Sequence, residues 1–111
     1  MDKIDLSKYP RDVQLAAMAV GMDRAAPYKR HGKLWYVPFK VSYYSDGASL
    51  DVIDIFDEFV RKGYAEFQEI EKTRYHQDDP VETVHRYTMT RAGLDWLSKA
   101  LDIHIYDPKP F

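Results

Sequence analysis

His76 and His85 flank the turn-like stretch QDDPVE, which contains Asp79, and imidazole with carboxylate is the donor set that binds zinc and related cations. A held metal needs three or four such donors converging, with further groups to orient them. His31 and His104 have no partner recognisable in the sequence, so no metal and no other cofactor is expected. Other catalytic signatures are equally thin. The five glycines are scattered and build no phosphate-cradling loop. No serine sits in a nucleophile elbow, there is no cysteine to supply a thiolate, and Asp78 and Asp79 fall in a turn rather than a cleft. The expectation is a protein that binds, not an enzyme.

Charge is where the chain is patterned. A formal net charge of −2 names no partner by itself, but it hides two opposed segments. Arg24, Lys29, Arg30, Lys33 and Lys40 lie in a stretch without a single acid, whereas Val41 to Val60 carries Asp46, Asp51, Asp54, Asp57 and Glu58 and no Lys or Arg. The basic residues are interleaved with Tyr28, Trp35, Tyr36, Phe39, Tyr43 and Tyr44. Such a mixture can stack bases and hold phosphates, yet a small core needs many of the same aromatics. Asp51, Asp54, Asp57 and Glu58 read either as a solvated helix face or as a contact surface for a basic protein, where they would give steering and register.

These residues need elements to position them. In YPRDVQLAAMAVGM, Pro10 suits a first helical position and Gly21 a stop, predicting a helix over Pro10 to Val20 with Val13, Ala16, Ala17 and Val20 buried. Residues 24–47, with Gly32, Pro38 and Gly47, read as irregular extended structure with a short edge hairpin. SLDVIDIFDEFVRKGY predicts an amphipathic helix capped by Ser49 and stopped at Gly63. Val52, Ile53, Ile55, Phe56, Phe59 and Val60 gather on its inner side, with the carboxylates opposite. YAEFQEIEKTRYH and TVHRYTMT then form a hairpin, with a bulge expected between Phe67 and Ile70, which are three apart. Thr90 caps a last helix with a Leu94, Leu97, Leu101 stripe, and the tail adds a short strand before fraying over 107–111.

The run from the amphipathic helix through RKGYAEF and the charged hairpin to Tyr87, Met89, Thr90, Gly93 and Leu97 resembles the winged-helix family, including MarR- and PadR-type regulators. The resemblance covers about residues 49–101. It implies an α+β domain, helices packed on a small antiparallel β-hairpin or sheet, with the amphipathic helix in the place of a DNA-recognition helix. The chain also resembles small phage and prophage proteins carrying such a wing at their C-terminal end. Two departures stand out. The stretch before the amphipathic helix does not read as a helix, and carboxylates on the presenting face would repel phosphate.

At 111 residues with 45% apolar and 31% charged side chains, the chain is expected to fold as one domain, 1–111, without disulfides. No apolar run reaches bilayer length, and with no leader-like segment a cytoplasmic protein is expected. The leading functional expectation is a small regulatory or inhibitory protein, of the kind phages carry, docking on a protein complex or basic protein surface through Asp51, Asp54, Asp57 and Glu58. An anti-CRISPR-type inhibitor would fit, since carboxylates can occupy a groove built for phosphate. The alternative is a winged-helix transcriptional regulator binding DNA through Arg24, Lys29, Arg30, Lys33 and Lys40. A homodimer through the first helix or the C-terminal segment is compatible with either.

Overall fold

Pro10 is extended at ψ 158°, so it ends the incoming chain as the N-cap rather than occupying the first helical position expected for it. Its carbonyl accepts from the Gln14 amide at 3.0 Å, and helix α1 runs Arg11–Ala19. Val13, Ala16, Ala17 and Val20 are buried as the spacing required, and so are Leu15 and Ala19. The alanines let neighbouring elements approach α1 from more than one side. Gly21 stops the helix at φ +86°, and the Phe39 ring occupies the space its Cβ would need.

In this computed structural model, which describes residues 3–72 and 76–106, the chain is α+β, with two three-stranded sheets. The first contains β1 (Tyr28–Arg30), β2 (Lys33–Tyr36) and, from the far end of the chain, β6 (His104–Ile105), in the order β1-β2-β6. The expected edge hairpin is therefore present, but it is not confined to an edge: β2 is the central strand, with β6 beside it in parallel. Pro38 lies just past β2, where its missing N–H removes no ladder bond. His31 and Gly32 turn the hairpin with φ of +53° and +75°, the pair of positive values that a tight two-residue hairpin turn of the primed kind requires.

The second sheet has the order β3-β5-β4, from β3 (Ser42–Tyr44), β4 (Ala65–Glu71) and β5 (Thr83–Met89). Pairing of β4 with β5 is unbroken from Ala65 opposite Met89 to Glu71 opposite Thr83, so the expected bulge is absent. Phe67 and Ile70 simply belong to opposite faces: Phe67 packs beside Tyr87 and His85, and Ile70 stands opposite Val84. The predicted strand over residues 64–76 is thus shorter, and its 73–75 portion lies outside the described residues.

Helix α2 (Leu50–Arg61) presses Val52, Phe56 and Phe59 into the core, with Ile55 and Val60 half-buried against it, whereas Ile53, expected on the inner side, is half-buried without joining the core cluster. Phe56 is sandwiched between Tyr43 and Tyr87 with ring centroids 4.6 and 5.2 Å away. Ser49 is the N-cap, but its hydroxyl bonds the Asp51 carboxylate instead of a helix amide. After Gly63 (φ +79°) the chain enters β4 and returns along β5 to helix α3 (Arg91–Leu101). Thr90 ties that junction. Its hydroxyl donates to the Gly63 carbonyl at 2.6 Å and accepts from the Gly93 amide at 3.1 Å, while its own amide donates to the Tyr64 carbonyl at 3.0 Å. Phe56, Phe59, Tyr87, Met89, Leu94 and Leu97 share one core, as expected, and Tyr36, Ile103 and Ile105 extend it to the first sheet. Among the described residues no helix is long and apolar enough to cross a membrane.

Candidate binding surfaces

The histidine and aspartate candidates do not converge. The His76 amide donates to the Asp79 carboxylate at 3.1 Å, a bond that builds the hairpin tip. His85 lies down the strand opposite Glu69, its Nε2 3.8 Å from the Glu69 carboxylate, with the Phe67 ring edge-on at 4.7 Å. Among the described residues no three His, Asp or Glu side chains form a group that could hold a metal ion.

The four acids of α2 sit on one helix but in different circumstances. The Ser49 hydroxyl, and beyond it the Arg11 guanidinium at 3.4 Å, hold the Asp51 carboxyl below its ordinary range. Asp57 accepts from the Tyr87 hydroxyl at 2.7 Å and so fastens the helix to β5. Glu58 pairs with Arg61 one turn along. Asp54 is exposed, and its carboxylate makes no ion pair or hydrogen bond among the described residues. Exposed pairs such as Arg11 with Asp51 and Arg61 with Glu58 are worth at most about 1 kcal/mol, but they do lower the charge a partner would meet.

The five basic candidates separate into two groups. Arg24 and Lys40 border a shallow cleft beside Tyr43 and Tyr44, where Asp23 partly offsets them. Lys29, Arg30 and Lys33 belong to the β1–β2 hairpin. A groove beside this hairpin is lined by Lys29, Lys33 and Lys99, with Asp102 as the acid among its lining residues.

Strand register divides the first sheet into two faces of opposite character. Leu34, Tyr36 and Ile105 point to the core, and the Tyr36 hydroxyl donates to the Val20 carbonyl at 2.7 Å, fastening the sheet to the end of α1. The other face carries Tyr28 opposite Trp35, Trp35 opposite His104, and Arg30 opposite Lys33. Tyr106 follows on the same side, its ring stacked 5.5 Å from Trp35 at 20°, with His104 edge-on to both. The Trp35 indole N–H donates to the Arg30 carbonyl at 3.1 Å, which fixes the ring across the hairpin. None of these four rings belongs to the core cluster, and Tyr28 and Tyr106 remain 42% and 40% exposed. Sequence reasoning singled out Tyr28, Arg30, Lys33 and Trp35 but missed His104 and Tyr106, which join them only through the parallel pairing of β6 with β2. The alternation in HIY, with Ile105 buried between two outward rings, is the one signal that could have marked them. Comparisons with known families, with characterised proteins and with solved structures return no match.

Proposed function

We propose that the protein is a non-catalytic binding module whose principal contact surface is the outward face of the β1-β2-β6 sheet. The observation that supports this most is a set of four neighbouring aromatic side chains, Tyr28, Trp35, His104 and Tyr106, held outside the core beside Arg30 and Lys33. Aromatic surface left in water is costly, and aromatic residues with Arg are the side chains on which binding energy concentrates. The role we read for such a module is regulatory or inhibitory, exercised by occupying a macromolecular surface.

A winged-helix relationship belongs to the same proposal. Its support is the order of elements: α2 leads into the β4–β5 hairpin, β3 pairs with β5, and α3 follows β5 into the shared core. The place of a helix before α2 is taken by β3, which argues for a use other than duplex docking through α2.

Docking of a basic protein on Asp51, Asp54, Asp57 and Glu58 is the second reading. It is favoured by exposed Asp54 and by the absence of Lys and Arg throughout Val41 to Val60. Retention of partners from the source cell, with and without nuclease, separates the two when wild type is compared with a Tyr28→Ser, Trp35→Ser double variant and with Asp54→Lys. Loss with the double variant alone is expected. Loss with Asp54→Lys alone would move the contact to α2, and retention by both variants would overturn both surfaces.

A further inference from the structure

We infer that the outward face of the β1-β2-β6 sheet is a platform for single-stranded nucleic acid, on which bases stack against Trp35 and its neighbours while Arg30 and Lys33 hold phosphates. This rests on the binding reading above and names its partner class.

Three features carry it. First, Tyr28, Trp35 and His104 stand in one row across three strands. Adjacent strands are about 4.8 Å apart, so the row offers successive π-faces or edges to a chain crossing the sheet. Stacking on aromatic rings tolerates any base and is the usual source of affinity for unpaired strands. Second, the indole is prepositioned by its bond to the Arg30 carbonyl and by the stacked Tyr106 ring. Little side-chain freedom is then lost on binding. Third, the charge has the right sign and place. Arg30 and Lys33 face each other at the turn end of the same face.

A duplex fits poorly, because its bases are already stacked on one another and offer no free faces to the exposed rings. An apolar protein surface would use the aromatics but leave the cations without a counterpart. Single-stranded DNA and RNA share the chemistry of unpaired bases on a phosphate chain, and the sugar is left to the test.

The experiment is fluorescence anisotropy of labelled oligothymidylate and oligouridylate titrated with the whole chain at low and physiological salt, with a duplex of equal length for comparison. The unpaired strands should bind more tightly than the duplex. Trp35→Ala should weaken binding on the order of tenfold to a hundredfold, and Trp35→Phe should restore much of it. Replacing Arg30 or Lys33 by Gln should each reduce the slope of log affinity against log salt by about 0.7. Trp35 lies outside the core, so these variants should keep the wild-type circular dichroism spectrum, which is checked first. In a Trp96→Phe variant Trp35 is the sole indole, and its fluorescence should be quenched as the strand binds; the anisotropy arm stands alone if that variant does not fold. Failure of both oligonucleotides to bind at low salt, or affinity unchanged by Trp35→Ala, overturns the inference. If oligonucleotides fail while a nuclease-resistant protein partner is retained by wild type and lost from Trp35→Ala, the nucleic-acid inference falls and the binding surface stands. If Trp35→Ala affects neither, both fall.

Discussion

Tyr87 donates its hydroxyl hydrogen to the Asp57 carboxylate at 2.7 Å, joining the central strand of the second sheet to the acidic face of α2. The helix acids are consequently not equivalent. Asp57→Ala strands a phenol that is otherwise enclosed and should cost about 1–3 kcal/mol, whereas Asp54→Lys should move stability by no more than about 0.5 kcal/mol. Urea midpoints of the two variants check this. It also means that reversing all four acids at once confounds docking with folding, so Asp54 is the position at which a docking role is best probed.

The Gly93 backbone approaches the 63–64 turn so closely that a Cβ there would lie 2.0 Å from the Tyr64 carbonyl oxygen and 2.9 Å from the Met89 side chain. A backbone oxygen already accepting from the Thr90 amide cannot move aside freely. Gly93→Ala, ordinarily favourable in a helix, should here destabilise by about 3 kcal/mol, the upper end of overpacking costs. Thr90→Val, which removes the cap and the bond to Gly63, should cost about 1–2 kcal/mol. Thermal melts of both variants test the junction.

Leu97 of α3 is fully enclosed in the core, and Leu97→Ala should cost about 2–5 kcal/mol. An unchanged denaturation midpoint would contradict the packing.

The positions that sequence reasoning placed well are those governed by local periodicity. Phe56, Phe59, Leu94 and Leu97 follow helical spacing, and Tyr87 and Met89 follow strand alternation, so each could be assigned to the core without knowing its neighbours. What failed depends on pairing between distant segments. The Phe67 to Ile70 spacing suggested a bulge because both residues were assumed to seek the same core, but β4 is an edge strand, and Phe67 stays 48% exposed. The candidate surface was half legible for the same reason. The hairpin residues were visible as an aromatic and basic run, while His104 and Tyr106 reach it through a two-residue parallel pairing that no local pattern encodes. Likewise the acids of α2 were recognisable as a face, but not the bonds from Tyr87, Ser49 and Arg11 that bind two of them.

His31 occupies the first of the two positive-φ positions in the β1–β2 turn, at +53°. Asn is favoured at that position in such turns and a β-branched residue is not. His31→Asn should leave the protein as stable or slightly more so, and His31→Val should cost about 1–2 kcal/mol. If the sheet face binds as proposed, His31→Val should also weaken oligonucleotide binding, since the turn sets the register that puts Tyr28 opposite Trp35. Melting temperature and anisotropy, measured on the same preparations, check both effects.

Tyr36 supplies a pH signature for the attachment of that sheet. Burial, with a further contribution from the Asp23 charge, pushes its phenol up to about 12, against about 10 for an unfolded tyrosine. Between those values the unfolded chain has given up the proton that the folded chain retains, so the unfolded state binds fewer protons and stability falls as pH rises. The contribution is intact below about pH 10 and is lost as the pH climbs through about 12. Tyr87, raised by burial and then by its bond to Asp57, acts in the same direction. Tyr36→Phe should lower stability at neutral pH by about 1 kcal/mol through loss of the bond to the Val20 carbonyl. It should also make the decline between about pH 10 and 12 shallower than in wild type. Urea titrations at about pH 7, 9, 10.5 and 11.5, which run from below that window into it, measure both, and a decline equally steep in the two proteins would show that the Tyr36 phenol is not what titrates.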